Sequence, residues 1–158
     1  MSTIKKSAVF SPCRKYRYSL TRSWNSAEGY VLFIGLNPSI ADEIIDDPTL
    51  IRCINFAKDW GYGGLIMVNL FAYMSTHPKD LKKAKLPIGK NNNKHILKNH
   101  QKSQLTIAAW GNDGHFLKRD KEVLKIINNP MCLNINKSGQ PAHPLYQKKD
   151  QELINFTS

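Results

Sequence analysis

Three uncharged polar residues stand beyond predicted strands of this sequence. Asn37 and Asn69 each follow a short apolar run, and His143 lies beyond the last run, in a loop near the end of the chain. Amide and imidazole groups can both bind a polar ligand through hydrogen bonds without carrying a net charge. Because the carboxyl ends of parallel strands share one edge of a sheet, we expect these side chains to converge. The sequence therefore predicts a ligand site at that edge.

Four apolar runs separated by helical patterns position these residues. The predicted strands cover 31–35, 65–68, 105–109 and 131–135, and the predicted helices cover 49–60, 89–101 and 116–129. Alternation of this kind is typical of a parallel sheet covered on both faces. We therefore expect an α/β fold with three layers, α/β/α, around a central four-stranded parallel sheet.

The first strand ends abruptly at residues 35–39, Gly-Leu-Asn-Pro-Ser. Gly35 permits a tight turn, and Pro38 fixes its own φ and favours extended geometry at Asn37. Thr49 is the expected N-cap of the first helix. Residues 70–88, which contain two prolines and a basic cluster, are predicted as a long loop.

The chain has 158 residues, which predicts one domain over 1–158. Residues 1–29 are basic and aromatic and are predicted as a basic N-terminal extension or hairpin. In that segment Tyr16, Tyr18 and Leu20 alternate with Arg17 and Ser19, which favours a strand with a wet, cationic face.

The charge and composition of the chain limit the functions that we expect for it. Lys and Arg outnumber Asp and Glu by 23 to 12, a net charge of +11 that favours a polyanionic partner such as nucleic acid. No apolar run is long enough to span a membrane, and we expect a cytoplasmic protein with no membrane partner. The three cysteines show no CxxC pairing, and the histidines show no metal-ligand spacing. We therefore expect no metal, no iron–sulfur cluster and no cofactor.

Several of these motifs resemble those of the uracil-DNA glycosylase superfamily. Residues 35–39 resemble its first motif, especially that of the mismatch-specific branch, in which Gly-x-Asn-Pro-Gly follows the first strand. Residues 143–145, His-Pro-Leu, resemble its second motif, a His-Pro-Ser-Pro-like turn near the C-terminus. Val68-Asn69 and Ala109-Trp110-Gly111 are similar to segments that follow the second and third strands in other branches. The resemblance covers residues 30–150 and implies a uracil-DNA glycosylase-like fold.

A closer resemblance is to a bacterial and phage family of unknown function. It is carried by the combination of 35–39 with four further motifs. These are Asp-Asp-Pro-Thr at 46–49, Trp-Gly-Tyr-Gly-Gly at 60–64, Asn-Leu-Phe-Ala at 69–72, and Gly-x-Pro-x-His-Pro-Leu-Tyr at 139–146. This match implies a family but no activity.

The glycosylase resemblance implies a role for each of the three polar residues. Asn37 would position the attacking water, and His143 would donate a hydrogen bond to the oxygen of the departing base. Asn69 would recognise the edge of a pyrimidine. The same resemblance implies a base-binding set that also includes Gly35, Leu36, Ser39 and Phe71.

The implied partner is double-stranded DNA with one base flipped out, and we expect a monomer. Leu145 and Tyr146 would enter the duplex where the base had been. The residues expected to contact DNA beside these two are Lys79, Lys82, Lys83, Lys137 and Ser138.

The sequence departs from the superfamily pattern in two ways. Ser39 replaces the last glycine of the first motif, and the serine of the second motif is missing. An acidic segment also follows closely, at residues 42–47. Its carboxylates are predicted to cap the first helix or to contact the ligand, and Asp47 or Asp42 as the general base stays an alternative to Asn37.

The leading hypothesis is a monofunctional DNA glycosylase that excises a damaged or modified pyrimidine, with modified foreign DNA, such as that of a phage, as one source of the base. One alternative is a non-catalytic module that binds modified bases or nucleic acid. Another is an N-glycosidase of small nucleotides, which would hold phosphate at residues 111–114 or at Ser138-Gly139.

Overall fold

In the part of the chain that the structure describes, the central sheet has seven strands. A computed structural model describes residues 3–156. The strands are β1 (Lys5–Phe10), β2 (Arg17–Ser23), β3 (Tyr30–Gly35), β4 (Gly64–Asn69), β5 (Leu105–Ala108), β6 (Met131–Cys132) and β7 (Ile154–Asn155). Their order across the sheet is β1-β2-β4-β3-β5-β6-β7.

The prediction of an α/β fold is confirmed, and the prediction of a four-stranded parallel sheet is wrong. The strands β3 to β6 are parallel to one another, as β3 pairs with β4 and with β5, and β5 pairs with β6. Three antiparallel strands extend this unit, with the β1–β2 hairpin beside β4 and β7 beside β6. They pair the backbone groups that β4 and β6 would otherwise present as free sheet edges.

Within residues 3–156, four α-helices flank the sheet. They are α1 (Pro48–Asp59), α2 (Pro78–Lys83), α3 (Asn92–Lys102) and α4 (Arg119–Leu124). The predicted loop 70–88 contains the short helix α2. The helix predicted over 116–129 is interrupted, because Leu117 and Lys118 have positive φ angles of 55° and 54°. Leu117 is 56% exposed at this interruption.

The two faces of the sheet carry separate hydrophobic cores. On one face Val31 and Phe33 of β3 pack with buried residues of α1, such as Phe56. On the other face the alternate residues Leu32 and Ile34 belong to the cluster that contains buried residues of α2, α3 and α4. Because both faces of β3 are buried, its residues are apolar along the whole strand. A short uncharged run in the sequence was therefore enough to predict it.

The cationic face predicted for the N-terminal hairpin is wrong. Arg17 and Arg22 of β2 are only 3% and 0% exposed, and Ser19 is also buried. The reason is that β2 is an inner strand of the sheet, paired with β1 on one side and with β4 on the other. Its arginines therefore lie inside the protein, where each needs a partner for its charge.

Candidate functional site

A cleft of about 700 Å³ lies at the carboxyl ends of the parallel strands. Residues that follow β3, β4, β5 and β6 line it, as expected for the crevice of an α/β sheet. The cleft brings together Asn37, Asn69, His143 and Asp47, although more than 100 residues separate the first of them from His143 along the chain. Five further predicted site residues also line it: Gly35, Leu36, Ser39, Leu145 and Tyr146.

The remaining predicted site residues lie away from this lining. Phe71 is fully buried in the core, with its ring 5.5 Å from that of Phe116. The four lysines predicted to contact DNA are exposed: Lys79, Lys82 and Lys83 lie in α2, and Lys137 lies in the last loop. The hydroxyl of Ser138 donates to Oδ1 of Asn112 at 2.6 Å and so holds the last loop against the loop after β5.

Asn37 is fixed by hydrogen bonds from its amide nitrogen. Its Nδ2 donates to the carbonyl oxygens of Tyr73 at 3.2 Å and Ser75 at 3.0 Å, and contacts the Ser75 hydroxyl at 2.8 Å. Carbonyl oxygens only accept hydrogen bonds, so the amino group must face them. The Oδ1 atom is then the part of this side chain left to accept a hydrogen bond from a water or a ligand in the cleft.

Asn69 ends β4 and presents a buried donor. The residue is 2% exposed, and its Nδ2 has no hydrogen-bond partner among residues 3–156. A buried amide donor without a partner is costly in the absence of a ligand. Gly35, its neighbour on β3, lies so close that a Cβ there would be 2.8 Å from Asn69 Oδ1. A glycine is therefore needed at the end of β3 to leave room for this amide.

His143 is delivered to the cleft by the loop that follows β6. This loop is tied down because Gly111 N donates to the Pro141 carbonyl and Ala142 N donates to the Asn134 carbonyl, both at 2.9 Å. His143 itself caps the short 3₁₀ turn Pro144–Tyr146, with its Nδ1 accepting from Leu145 N at 3.2 Å.

The protonation state of His143 follows from that cap. Since Nδ1 accepts a hydrogen bond from a backbone N–H, the proton of the neutral ring is on Nε2. Burial lowers the pKa of His143 from its ordinary value, and the nearby Asp47 carboxylate offsets part of that shift. The ring is therefore neutral at pH 7 and carries an Nε2–H donor.

Asp47 caps α1. Its Oδ1 accepts from Leu50 N at 2.8 Å, and Pro48 occupies the first position of the helix. The prediction that Thr49 is the N-cap is therefore wrong, and the reason is that Asp-Pro is a better start, with an acceptor at the cap and a fixed φ after it. Asp47 also lines the cleft, so its second carboxylate oxygen remains a candidate for contact with a ligand.

The rest of the acidic segment is held by the N-terminal hairpin. Asp46 pairs with buried Arg22 at 2.9 Å and with Lys6 at 3.3 Å, and Glu43 pairs with Arg14 at 3.1 Å. These carboxylates are thus largely neutralised by the hairpin.

Asp42 forms a local turn in the same segment. Its Oδ1 accepts from the backbone N–H groups of Ile45 and Ile44 at 2.7 and 2.8 Å, which lowers the pKa of this carboxyl. Asp42 is therefore occupied in supporting the loop, and it is not among the residues that line the cleft.

The cleft has lining residues that sequence reasoning missed. Leu20, Leu50 and Met67 form an apolar part of its wall, and Arg17 contributes a buried guanidinium. Burial lowers the pKa of Arg17 to about 10, so the group stays charged at pH 7. Only the position of β2 inside the sheet brings Arg17 to this edge, and no local sequence pattern gives that position.

Comparison with known families adds one assignment. The model of a family described as "Protein of unknown function (DUF1643)" matches residues 17–145. The chain belongs to the DUF1643 family. The DUF1643 match runs from Arg17 to Leu145 and therefore includes Asn37, Asn69 and His143. No curated protein and no solved structure matches the chain.

The structure also bears on metal binding and on membranes. Within residues 3–156 of this DUF1643 protein, no cluster of three or more His, Cys, Asp or Glu side chains has an arrangement that could bind a metal ion. In the same residues no helix has the length and apolar character needed to cross a membrane. The described part of the cleft offers hydrogen-bonding groups, apolar surface, the guanidinium of Arg17 and the carboxylates of Asp47 and Asp113.

Proposed function

We propose that this DUF1643 protein is a monofunctional DNA glycosylase that flips out a damaged or modified pyrimidine and hydrolyses its N-glycosidic bond. The observation that carries the proposal is that Asn37 and His143, both held by backbone contacts, line one cleft. The resemblance of residues 35–39 and 143–145 to the two motifs of uracil-DNA glycosylases supports the same activity.

The two side chains match the charges that form during this reaction. Breaking an N-glycosidic bond leaves positive charge on the sugar and negative charge on the base. The Nε2–H of neutral His143 is a donor for the base oxygen on which that negative charge develops. Asn37 Oδ1 is an acceptor for a proton of the attacking water, because its Nδ2 is already occupied.

Asn69 supports a pyrimidine as the base. Its unpartnered Nδ2 calls for an acceptor, and the carbonyl oxygens of uracil-like bases are such acceptors. The apolar side chains of Leu20, Leu50 and Met67 offer a surface for a flat ring. A modified pyrimidine would fill more of the cleft than uracil.

The surface around the cleft supports duplex DNA as the carrier of the base. Tyr146 and Leu145, on the lip of the cleft, are 82% and 38% exposed, and apolar side chains in such a position can occupy the gap left by a flipped base. Pro78 at the start of α2 also lines the cleft, so the exposed lysines of that helix lie close to its mouth. Lys79 and Lys83 can contact backbone phosphates, whereas Lys82 pairs with Asp113 at 3.0 Å.

The direct test is base release from defined DNA. Duplexes carrying uracil, hydroxymethylated pyrimidines or bulkier pyrimidines are incubated with the protein and then treated with alkali, which cleaves abasic sites. We expect strand cleavage at one class of modified base. Binding to such DNA without cleavage would favour the non-catalytic module, and release of bases from free nucleotides alone would favour the small-nucleotide N-glycosidase.

The variant Asp47→Asn separates the two candidates for activating the water, Asn37 and Asp47. Asp47→Asn keeps an oxygen that can cap α1, and asparagine is as good an N-cap as aspartate. If Asn37 holds the water, this variant keeps most of the activity. If activity is lost while α1 remains folded, the carboxylate of Asp47 is the general base.

A further inference from the structure

Arg17 is a buried cation in the cleft with unused hydrogen-bond donors. The residue is 3% exposed, and its Nη1 donates to the Ala41 carbonyl at 2.8 Å. Its Nε has no partner among residues 3–156, and none of the ion pairs in that part of the chain involves Arg17. A guanidinium has five N–H groups, so one carbonyl leaves most of them unsatisfied.

The other buried arginine of β2 shows how the fold satisfies such a group. Arg22 is fully buried, and its Nε donates to Asp46 Oδ1 at 2.9 Å while its Nη1 donates to the Thr21 carbonyl at 3.1 Å. The same strand therefore holds one arginine that is paired and one that is not. The difference is location, since Arg17 lines the cleft and Arg22 does not.

The carboxylates that influence the charge of Arg17 form no ion pair with it. Asp47 and Asp42 are close enough to raise its pKa somewhat against the effect of burial. However, Asp47 Oδ1 accepts from Leu50 N and Asp42 Oδ1 accepts from two backbone N–H groups. The guanidinium is charged, desolvated and incompletely paired, a state that a ligand anion would relieve.

We propose that Arg17 is an oxyanion subsite of the cleft, and that the ligand carries a phosphate or carboxylate that the guanidinium binds. The inference rests on the proposed function in that the remainder of the ligand is a pyrimidine nucleoside unit. The cleft volume of about 700 Å³ is large enough for such a unit with a charged group, because pockets of ~300–1,000 Å³ take drug-sized ligands. The oxyanion belongs either to the sugar phosphate or to an acidic substituent of the base.

Calorimetric titration of the full chain with matched ligand pairs tests the subsite and separates the two sources. One pair is dUMP and 2′-deoxyuridine, and the other is 5-carboxy-2′-deoxyuridine and thymidine. A charge-assisted contact predicts that the anionic member of one pair binds about tenfold more tightly than its neutral partner. A preference within the first pair assigns the phosphate, and one within the second pair assigns the base substituent. Equal affinities within both pairs would overturn the proposal.

Variants show whether Arg17 is the cause. Arg17→Gln should abolish the preference for the anionic ligand and leave the affinity for the neutral one within about threefold, whereas Arg17→Lys should keep part of the preference. Arg14→Gln, in an exposed arginine paired with Glu43, is the matched control and should change neither affinity. If Arg17→Gln lowers the affinity for both members of the pair equally, Arg17 only supports the fold. If Arg17→Gln does not fold, the affinities of the wild-type protein for the matched ligand pairs still test the subsite.

These titrations and the abasic-site assay fail independently. A charge preference that depends on Arg17, together with no base release from any DNA, would keep the subsite and overturn the glycosylase proposal. Base release without any charge preference would keep the glycosylase and overturn the subsite.

Discussion

The amide of Asn37 joins two loops through Ser75. Its Nδ2 lies 2.8 Å from Ser75 Oγ and 3.0 Å from the Ser75 carbonyl oxygen, so the segment after β3 is fastened to the segment after β4. Backbone hydrogen bonds between the same segments reinforce this link, with Ser75 N donating to the Pro38 carbonyl at 3.0 Å. The proposed water-holding residue is therefore also a structural residue.

This double role predicts a graded pair of variants. Ser75→Ala removes one hydroxyl contact and should lower the free energy of unfolding by about 1 kcal/mol, while Asn37→Ala leaves several carbonyl oxygens without a donor and should cost about 1–3 kcal/mol. Urea unfolding followed by circular dichroism measures both values. If Asn37→Ala costs no more than Ser75→Ala, the amide does not hold the two loops together.

The contact between Gly35 and Asn69 predicts a steric effect on the cleft. Gly35→Ala places a methyl group 2.8 Å from Asn69 Oδ1, so the amide must move, and this overpacking should cost about 1–3 kcal/mol. Base excision should fall together with stability. Gly61→Ala is the control, because its φ of +84° makes the change strained although nothing lies within 4 Å. Equal activity of the two variants would show that the position of Asn69 does not matter.

The pairing of Asp46 with Arg22 predicts that the acidic segment is a stability element. Asp46→Asn removes a carboxylate from a fully buried guanidinium and should lower the free energy of unfolding by about 2–3 kcal/mol. Glu43→Gln breaks the exposed pair with Arg14 and should cost less than about 1 kcal/mol. Chemical unfolding of both variants gives the comparison, and equal costs would contradict the assigned importance of Arg22.

Histidine burial predicts loss of stability in mild acid. Burial lowers the pKa values of His95, His100 and His143 from the ordinary value of 6.5, so the folded protein favours the neutral rings. Their contribution is complete above pH 6.5 and is lost as the pH falls below that value, because the unfolded chain then takes up protons first. The midpoint of thermal unfolding should therefore drop between pH 6.5 and 5.

His100 allows this pH effect to be tested at one site. Its Nδ1 lies 2.7 Å from Thr106 Oγ1, and its Nε2 accepts from Asn128 N at 3.0 Å, a contact that a protonated ring cannot make. His100→Gln should be less stable than the wild type at pH 7.5 but should lose less stability on acidification. An unchanged pH dependence in this variant would remove His100 from the explanation.

The sequence predicted the centre of the fold better than its edges. The apolar runs at β3, β4 and β5 are short, uncharged and bounded by turn residues, so their pattern identified them as buried strands. The strand β7 has two exposed residues and lacks the composition of a sheet strand, whereas the alternation in β2 predicted a strand but not its inner position in the sheet. Their places depend on pairing with β6 and β4, which is a tertiary effect.

The candidate site was predictable where one strand end fixes one residue. Asn37 lies two residues after β3, and Asn69 is the last residue of β4, so the strand ends predicted both site residues. His143 was predicted from its sequence motif. Arg17 could not be found, since burial of an arginine depends on the neighbours of β2. Phe71 was assigned to the base-binding set, but its side chain packs in the core against Phe116 and does not line the cleft.

The central claim is that Asn37 and His143 act together on a base held in one cleft. The most direct measurement is single-turnover base excision by the wild type, Asn37→Ala and His143→Ala on the best DNA substrate, with the affinity for that DNA determined in parallel. We expect each variant to excise about 100-fold or more slowly, because each removes a group that stabilises the transition state, while DNA affinity stays within about threefold. Full excision activity in both variants would contradict the account.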